Sequence, residues 1–203
     1  MWNMLKNIFA RIDWHILPMT VLGALLLAAI YPLMRYAPAV WFAEDGIVEN
    51  IQLLILLVAV GVALCAKHEH KMFVLLAFIV LFVIIREVNG GRAIFCKLYL
   101  ETEETCRWSD FKYGYLVAWI RWSFAIGVVI YALAAKLWRP IWRYVTKAPI
   151  YVWDFLLFAV AVVGAQVAET AYFDNEIMEE GMETLMYIML ARLIWRYAHV
   201  EVK

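Results

Sequence analysis

From Ile51 to Ala66 the chain reads "IQLLILLVAVGVALCA", an apolar run whose one strongly polar member is Gln52. A stretch apolar all round cannot sit on the surface of a water-soluble domain, and helix hydrogen bonding satisfies its whole backbone without outside partners. Extended back to Ile47, it reaches the roughly 20 residues that cross a bilayer core. Six such segments are expected: Ile16 to Met34, Ile47 to Ala66, Met72 to Glu87, Tyr115 to Ala135, Ile150 to Ala171, and Gly181 to Tyr197. The expected fold is therefore all-α, a polytopic membrane helical bundle with six transmembrane helices.

Composition agrees. The chain is 66% hydrophobic with mean hydropathy +0.75, against about 45–50% apolar residues in soluble domains. Ten Trp and eleven Tyr suit two membrane interfaces, or a large aromatic core. A net charge of zero leaves no basic surplus for nucleic acid. No repeat or linker divides the chain, so residues 1–203 read as one transmembrane domain. Its longest connection, residues 89–114, "NGGRAIFCKLYLETEETCRWSDFKYG", is long enough to cap one face. The "APA" at Ala37 to Ala39 leaves a cleaved signal peptide as the alternative for the first segment.

The charges are sorted by side. With the N-terminus in the cytoplasm, Lys6, Arg11, Lys67, Lys71, Lys136, Arg139, Arg143, Lys147, Arg196 and Lys203 fall on the cytoplasmic face, as the positive-inside tendency requires. Nearly all the acids fall opposite, leaving Asp13, Glu69, Asp154 and Glu201 elsewhere. Both termini are then cytoplasmic, and the acidic face is external, or periplasmic in a bacterial inner membrane.

Acids that accompany an apolar helix into a bilayer cannot face lipid, because an ionised group in hydrocarbon costs several kcal/mol or more. Asp45, Glu49 and Gln52 share a face if the second helix begins near Trp41. Arg86 and Glu87 close the short third segment, with Asn89 and Arg92 just beyond. Gln166 and Glu169 share a face of the fifth, and Glu176, Glu179, Glu180 and Glu183 precede or open the sixth. Arg121 lies about 9 Å below Tyr115 along the fourth, at 1.5 Å per residue. These groups are expected to converge in one polar pocket, with Glu101, Glu103, Glu104, Asp174 and Glu176 as solvated cap residues. Toward the other face, Asp154 and Arg192 are expected to form a packing ion pair.

Other chemistry is thin. The histidines of "HEH" at His68 to His70 diverge on a helix, and Glu180-x-x-Glu183 lacks the histidine of a di-iron site. There is no P-loop, dinucleotide fingerprint or G-x-S-x-G elbow. Cys96 and Cys106 form a disulfide if their loop is external, or stay as thiols in a reducing compartment.

The elements "EDGIVE" (Glu44 to Glu49) and "REVNGGR" (Arg86 to Arg92) are similar to a pattern in polytopic bacterial inner-membrane proteins of unassigned function, in which E-D-G-x-x-E precedes an R/E-E-x-x-G-R element. The resemblance covers Glu44 to Arg92 and implies no activity.

Three functions suit the residues. The first is an enzyme acting on a lipid or lipid-linked head group at the external leaflet. In it Glu87, Glu49 and Glu183 are catalytic, with Glu87 as general base. Asp45, Glu49 and Glu183 would ligate Mg²⁺, Mn²⁺ or Ca²⁺, and Arg86, Asn89, Arg92, Arg121, Gln52, Gln166 and Glu169 would bind substrate. The second is a cation or proton transporter subunit, which needs a polar path that the middles of the spans hardly offer. The third is a non-catalytic protein that docks an envelope partner.

Overall fold

The computed structural model describes residues 9–42, 46–88, 111, 113–170 and 175–202. They form seven α-helices: α1 (Pro18–Tyr36), α2 (Ile47–Leu64), α3 (His70–Glu87), α4 (Tyr115–Ala134), α5 (Trp138–Lys147), α6 (Val152–Ala168) and α7 (Glu176–Ala198). A minimal parallel pair joins β1 (Ile12–Asp13) to β2 (Ile150–Tyr151), with Ile12 opposite Ile150. All six expected segments are helical, and α5 is an additional helix. Three helices, α1, α2 and α4, are long and apolar enough to cross a membrane. The expected cap loop lies almost wholly outside the described residues, as do Cys96, Cys106 and the acids Glu101, Glu103, Glu104 and Asp174.

Local sequence sets the helix ends. Pro18 opens α1, where its missing N–H costs nothing, and the helix stops before Pro38. Asn175 caps α7 by accepting the Met178 N–H at 2.9 Å, and Glu176 and Glu179 in the first turn meet the positive end of the helix dipole. The second helix begins at Ile47 after Gly46, not near Trp41, which belongs to a short 3₁₀ turn. Glu49 and Gln52 therefore lie on α2, whereas Asp45 lies outside the described residues.

α7 is the central helix, packed most extensively against α6, α2 and α1; α3 packs against α2 and shares a buried cluster with α7, and α4 packs against α3. In lipid, association between such helices rests on close packing, because leaving lipid for a protein neighbour gains little hydrophobic free energy. The interfaces accordingly bury small residues: Ala59, Ala63, Ala77 and Ala161 are all at most 1% exposed. A Cβ on Gly23 would stand 2.7 Å from Met189 Cε and 3.1 Å from Leu157 Cδ1, so α1 approaches α6 and α7 as closely as it does because position 23 is bare. Edge helix α4 buries none of its residues and meets α3 through Phe124, stacked on Phe82 with ring centres 5.9 Å apart.

The alternating helix directions give the bundle two polar ends. One gathers the starts of α2 and α7 with the end of α3. The other gathers the starts of α1, α3 and α6 with the ends of α2, α4 and α7, and α5 runs across it. On this second end Tyr144 of α5 meets Phe73 at the start of α3 and Tyr197 near the end of α7, each edge-on with ring centres 6.1 Å apart.

Candidate functional site

The acidic end is built around Gln52. Its side chain is 1% exposed, and its Nε2 donates toward Glu180 Oε2 at 2.8 Å, the Glu180 carbonyl at 3.0 Å and Thr184 Oγ1 at 3.1 Å. Thr184 in turn donates to the Glu180 carbonyl at 2.8 Å. A buried amide whose hydrogens are satisfied in this way locks the start of α2 to the first turns of α7. Positions 180, 183, 184 and 187 share one face of α7, so the same contact aims Glu180, Glu183 and the buried Tyr187 into one space.

α3 delivers Glu87 to that space from the opposite direction. Its side chain is 13% exposed, and Oε1 is enclosed with no hydrogen-bond donor to it among the described residues. Its neighbour Arg86 lies with Nε at 3.6 Å, the guanidinium 72% exposed, and the Tyr187 side chain interacts with the same carboxylate. Glu183 interacts electrostatically with Glu87, Glu180, Glu179 and Arg86, and Glu180 with Glu49, Glu179 and Glu87. Carboxylates from three helices thus meet beside one guanidinium. An enclosed carboxylate beside other acids suits a cationic partner.

Of the residues expected to converge, Glu49, Gln52, Arg86, Glu87 and Glu183 come together. Gln166 and Glu169 do not join them: they bond to each other at 2.6 Å, exposed on α6. Arg121 lies apart as well, in a recess with Phe82, Ala118, Trp122 and Ala125 between α3 and α4. Asp45, Asn89 and Arg92 lie outside the described residues. Glu180 of the same acidic helix start joins them, and the pocket also contains Thr184 and Tyr187, which the sequence reading does not include; their i+4 and i+7 spacing from Glu180 is the available signal. Among the described residues no three His, Cys, Asp or Glu side chains are grouped so as to hold a metal ion.

The opposite end holds a different polar set, fully paired. Asp154, 1% exposed, accepts from Thr20 Oγ1 at 2.8 Å, Arg192 Nε at 2.8 Å and Arg196 Nη1 at 2.9 Å. Arg196 also reaches Asp13 at 2.9 Å and lies 3.3 Å from the centre of the Tyr151 ring. The expected Asp154–Arg192 pair is therefore present, within a network that ties β1, α1, α6 and α7. The His15 backbone N–H, aided by the His15 ring and Arg196, holds the Asp13 carboxyl below its ordinary range against the opposing effect of burial. With both carboxylates of the network paired to guanidinium groups and every member but His15 buried or half-buried around a packing junction, this network reads as structural.

Comparison of the chain with protein-family models, curated proteins and solved structures finds no match.

Proposed function

We propose that the chain is a six-span integral protein of a bacterial inner membrane, with both termini cytoplasmic, whose external pocket recognises a zwitterionic lipid or lipid-linked head group and acts on it. The observation that carries this reading is the juxtaposition of an exposed guanidinium, Arg86, with the half-buried carboxylates Glu87, Glu180 and Glu183 at one end of the bundle. A phosphoethanolamine-type group presents the complementary pair: its phosphate suits Arg86, and its ammonium suits the carboxylates. Glu87, with one oxygen enclosed and no donor to it among the described residues, is the candidate general base for a water attacking the head group. A divalent cation shared by Glu49 and Glu183 with Asp45 remains part of the proposal as a test, since Asp45 lies outside the described residues.

Transport of a cation or proton is less well supported. The polar set descends from Glu49 through Gln52 and Thr184 to Tyr187, but below it Leu56, Ala59 and Met189 are fully buried and apolar. Native mass spectrometry of the protein in nanodiscs tests the head-group reading. Phosphatidylethanolamine should be retained over phosphatidylglycerol, Glu183→Gln and Arg86→Gln should each reduce that preference several-fold, and Glu87→Gln should abolish head-group products while sparing retention. Equal retention of the two lipids in all forms would remove the proposal. Loss of products on chelation, restored by Mg²⁺ or Mn²⁺, would add the metal.

A further inference from the structure

α5 (Trp138–Lys147, "WRPIWRYVTK") has two flanks of opposite character. Trp138, Ile141, Trp142 and Val145 recur at i, i+3, i+4 and i+7 on one flank, 52%, 39%, 68% and 61% exposed. Arg139, Arg143 and Lys147 recur at i, i+4 and i+8 on the other, and Lys136 precedes the helix in the turn from α4. Tyr144, between the flanks, is the buried anchor: its hydroxyl donates to the Val200 carbonyl at 3.2 Å. Arg143 holds the helix to the α2–α3 turn through Glu69 at 2.7 Å, and Arg11 holds its far end by donating to the Val145 and Ala148 carbonyls at 2.8 Å and 2.6–2.8 Å.

The helix is thus fixed across the ends of α3 and α7, and it carries the chain from edge helix α4 to α6. Two tryptophans on a surface directed away from the protein would be an association hazard in water. At the boundary between acyl chains and head groups the same surface is at home, because Trp prefers that depth and the basic flank meets phosphates.

Resting on the membrane reading above, we infer that α5 lies in the plane of the bilayer at the basic end of the bundle. Its Trp138, Ile141, Trp142 and Val145 flank enters the acyl boundary, and Lys136 and Arg139 engage the head groups of anionic phospholipids. The cationic residues of this end supply the charge complementarity: Arg11, Lys67 and Lys71 lie on the same side as the α5 row. Basic groups close to an anionic surface are drawn to it, and the attraction falls off within a Debye length.

Nitroxide labels measure the depth directly. The chain with Cys65, Cys96 and Cys106 changed to Ser takes a single Cys at position 126, 142 or 147 and is placed in phosphatidylcholine nanodiscs, with or without phosphatidylglycerol. The ratio of oxygen to nickel-chelate collisions should be highest at Ile126→Cys in α4, intermediate at Trp142→Cys, and several-fold lower at Lys147→Cys than at position 142. A water-exposed label at 142 with a buried label at 126 overturns the inference alone; water exposure at both overturns the membrane reading with it. Native mass spectrometry provides the second arm. Lys136→Gln with Arg139→Gln should reduce retained phosphatidylglycerol at least twofold, and unchanged retention overturns the anionic-lipid assignment.

Discussion

At the scale of single residues, the two ends of the bundle show opposite uses of buried charge. Asp154 accepts hydrogen bonds from Thr20, Arg192 and Arg196, so removing it leaves the Arg192 guanidinium, only 6% exposed, without its carboxylate, while Arg196 keeps Asp13. Breaking a buried pair in this way costs about 3–5 kcal/mol, and Asp154→Ala should lower the Tm in detergent far more than Glu169→Ala on the exposed face of α6. Asp13 gives a pH dependence of known sign. Its folded carboxyl titrates below the ordinary value, so its contribution is complete above the unfolded pKa of about 4 and is lost as the pH falls through the folded value. The Tm difference between wild type and Asp13→Asn should therefore be largest near neutral pH and close in acid. A difference that grew on acidification would contradict the Arg196 and His15 contacts. Glu87, by contrast, has an enclosed oxygen with no donor among the described residues, a state that suits a ligand-binding place.

At the scale of elements, what a helix packs against determines how much of its sequence matters. α7 packs most extensively against α1, α2 and α6, and its buried face alternates bulk with the small residues of its neighbours. The approach of α1 depends on Gly23. Leu at that position must displace Met189 and Leu157, and overpacking of this kind costs about 1–3 kcal/mol. Gly23→Leu should lower the Tm, and Met189→Ala in the same chain should recover part of the loss, because the nearest obstruction at 2.7 Å is the end of the Met189 side chain. Thermal unfolding of the single and double variants checks this. α4 provides the contrast: with no buried residue, apolar exchanges along its outer face should move the Tm little.

At the scale of the whole molecule, charge sorting predicts the orientation. Cys65, exposed at the end of α2, lies at the basic end with Lys67 and Lys71. In the Cys96→Ser, Cys106→Ser chain, a membrane-impermeant maleimide should label it in inside-out vesicles and spare it in spheroplasts. The reverse pattern would place the carboxylate pocket in the cytoplasm.

What the sequence determined by itself was the class of fold and the rows of helices, because hydrophobic run length and the separation of Lys and Arg from Asp and Glu are properties of the chain read in order. It also yielded Glu49, Gln52, Arg86, Glu87 and Glu183 as pocket members, since an acid or amide within an apolar helix has few places to go. It did not yield α5, whose ten residues are too short for a span and whose role depends on the helix ends beneath it. Nor could it separate Gln166, Glu169 and Arg121 from the pocket or bring in Thr184 and Tyr187. Those placements depend on which helices are neighbours and how each is rotated about its axis. Both are decided by side-chain packing between segments far apart in sequence, so only the tertiary structure decided them.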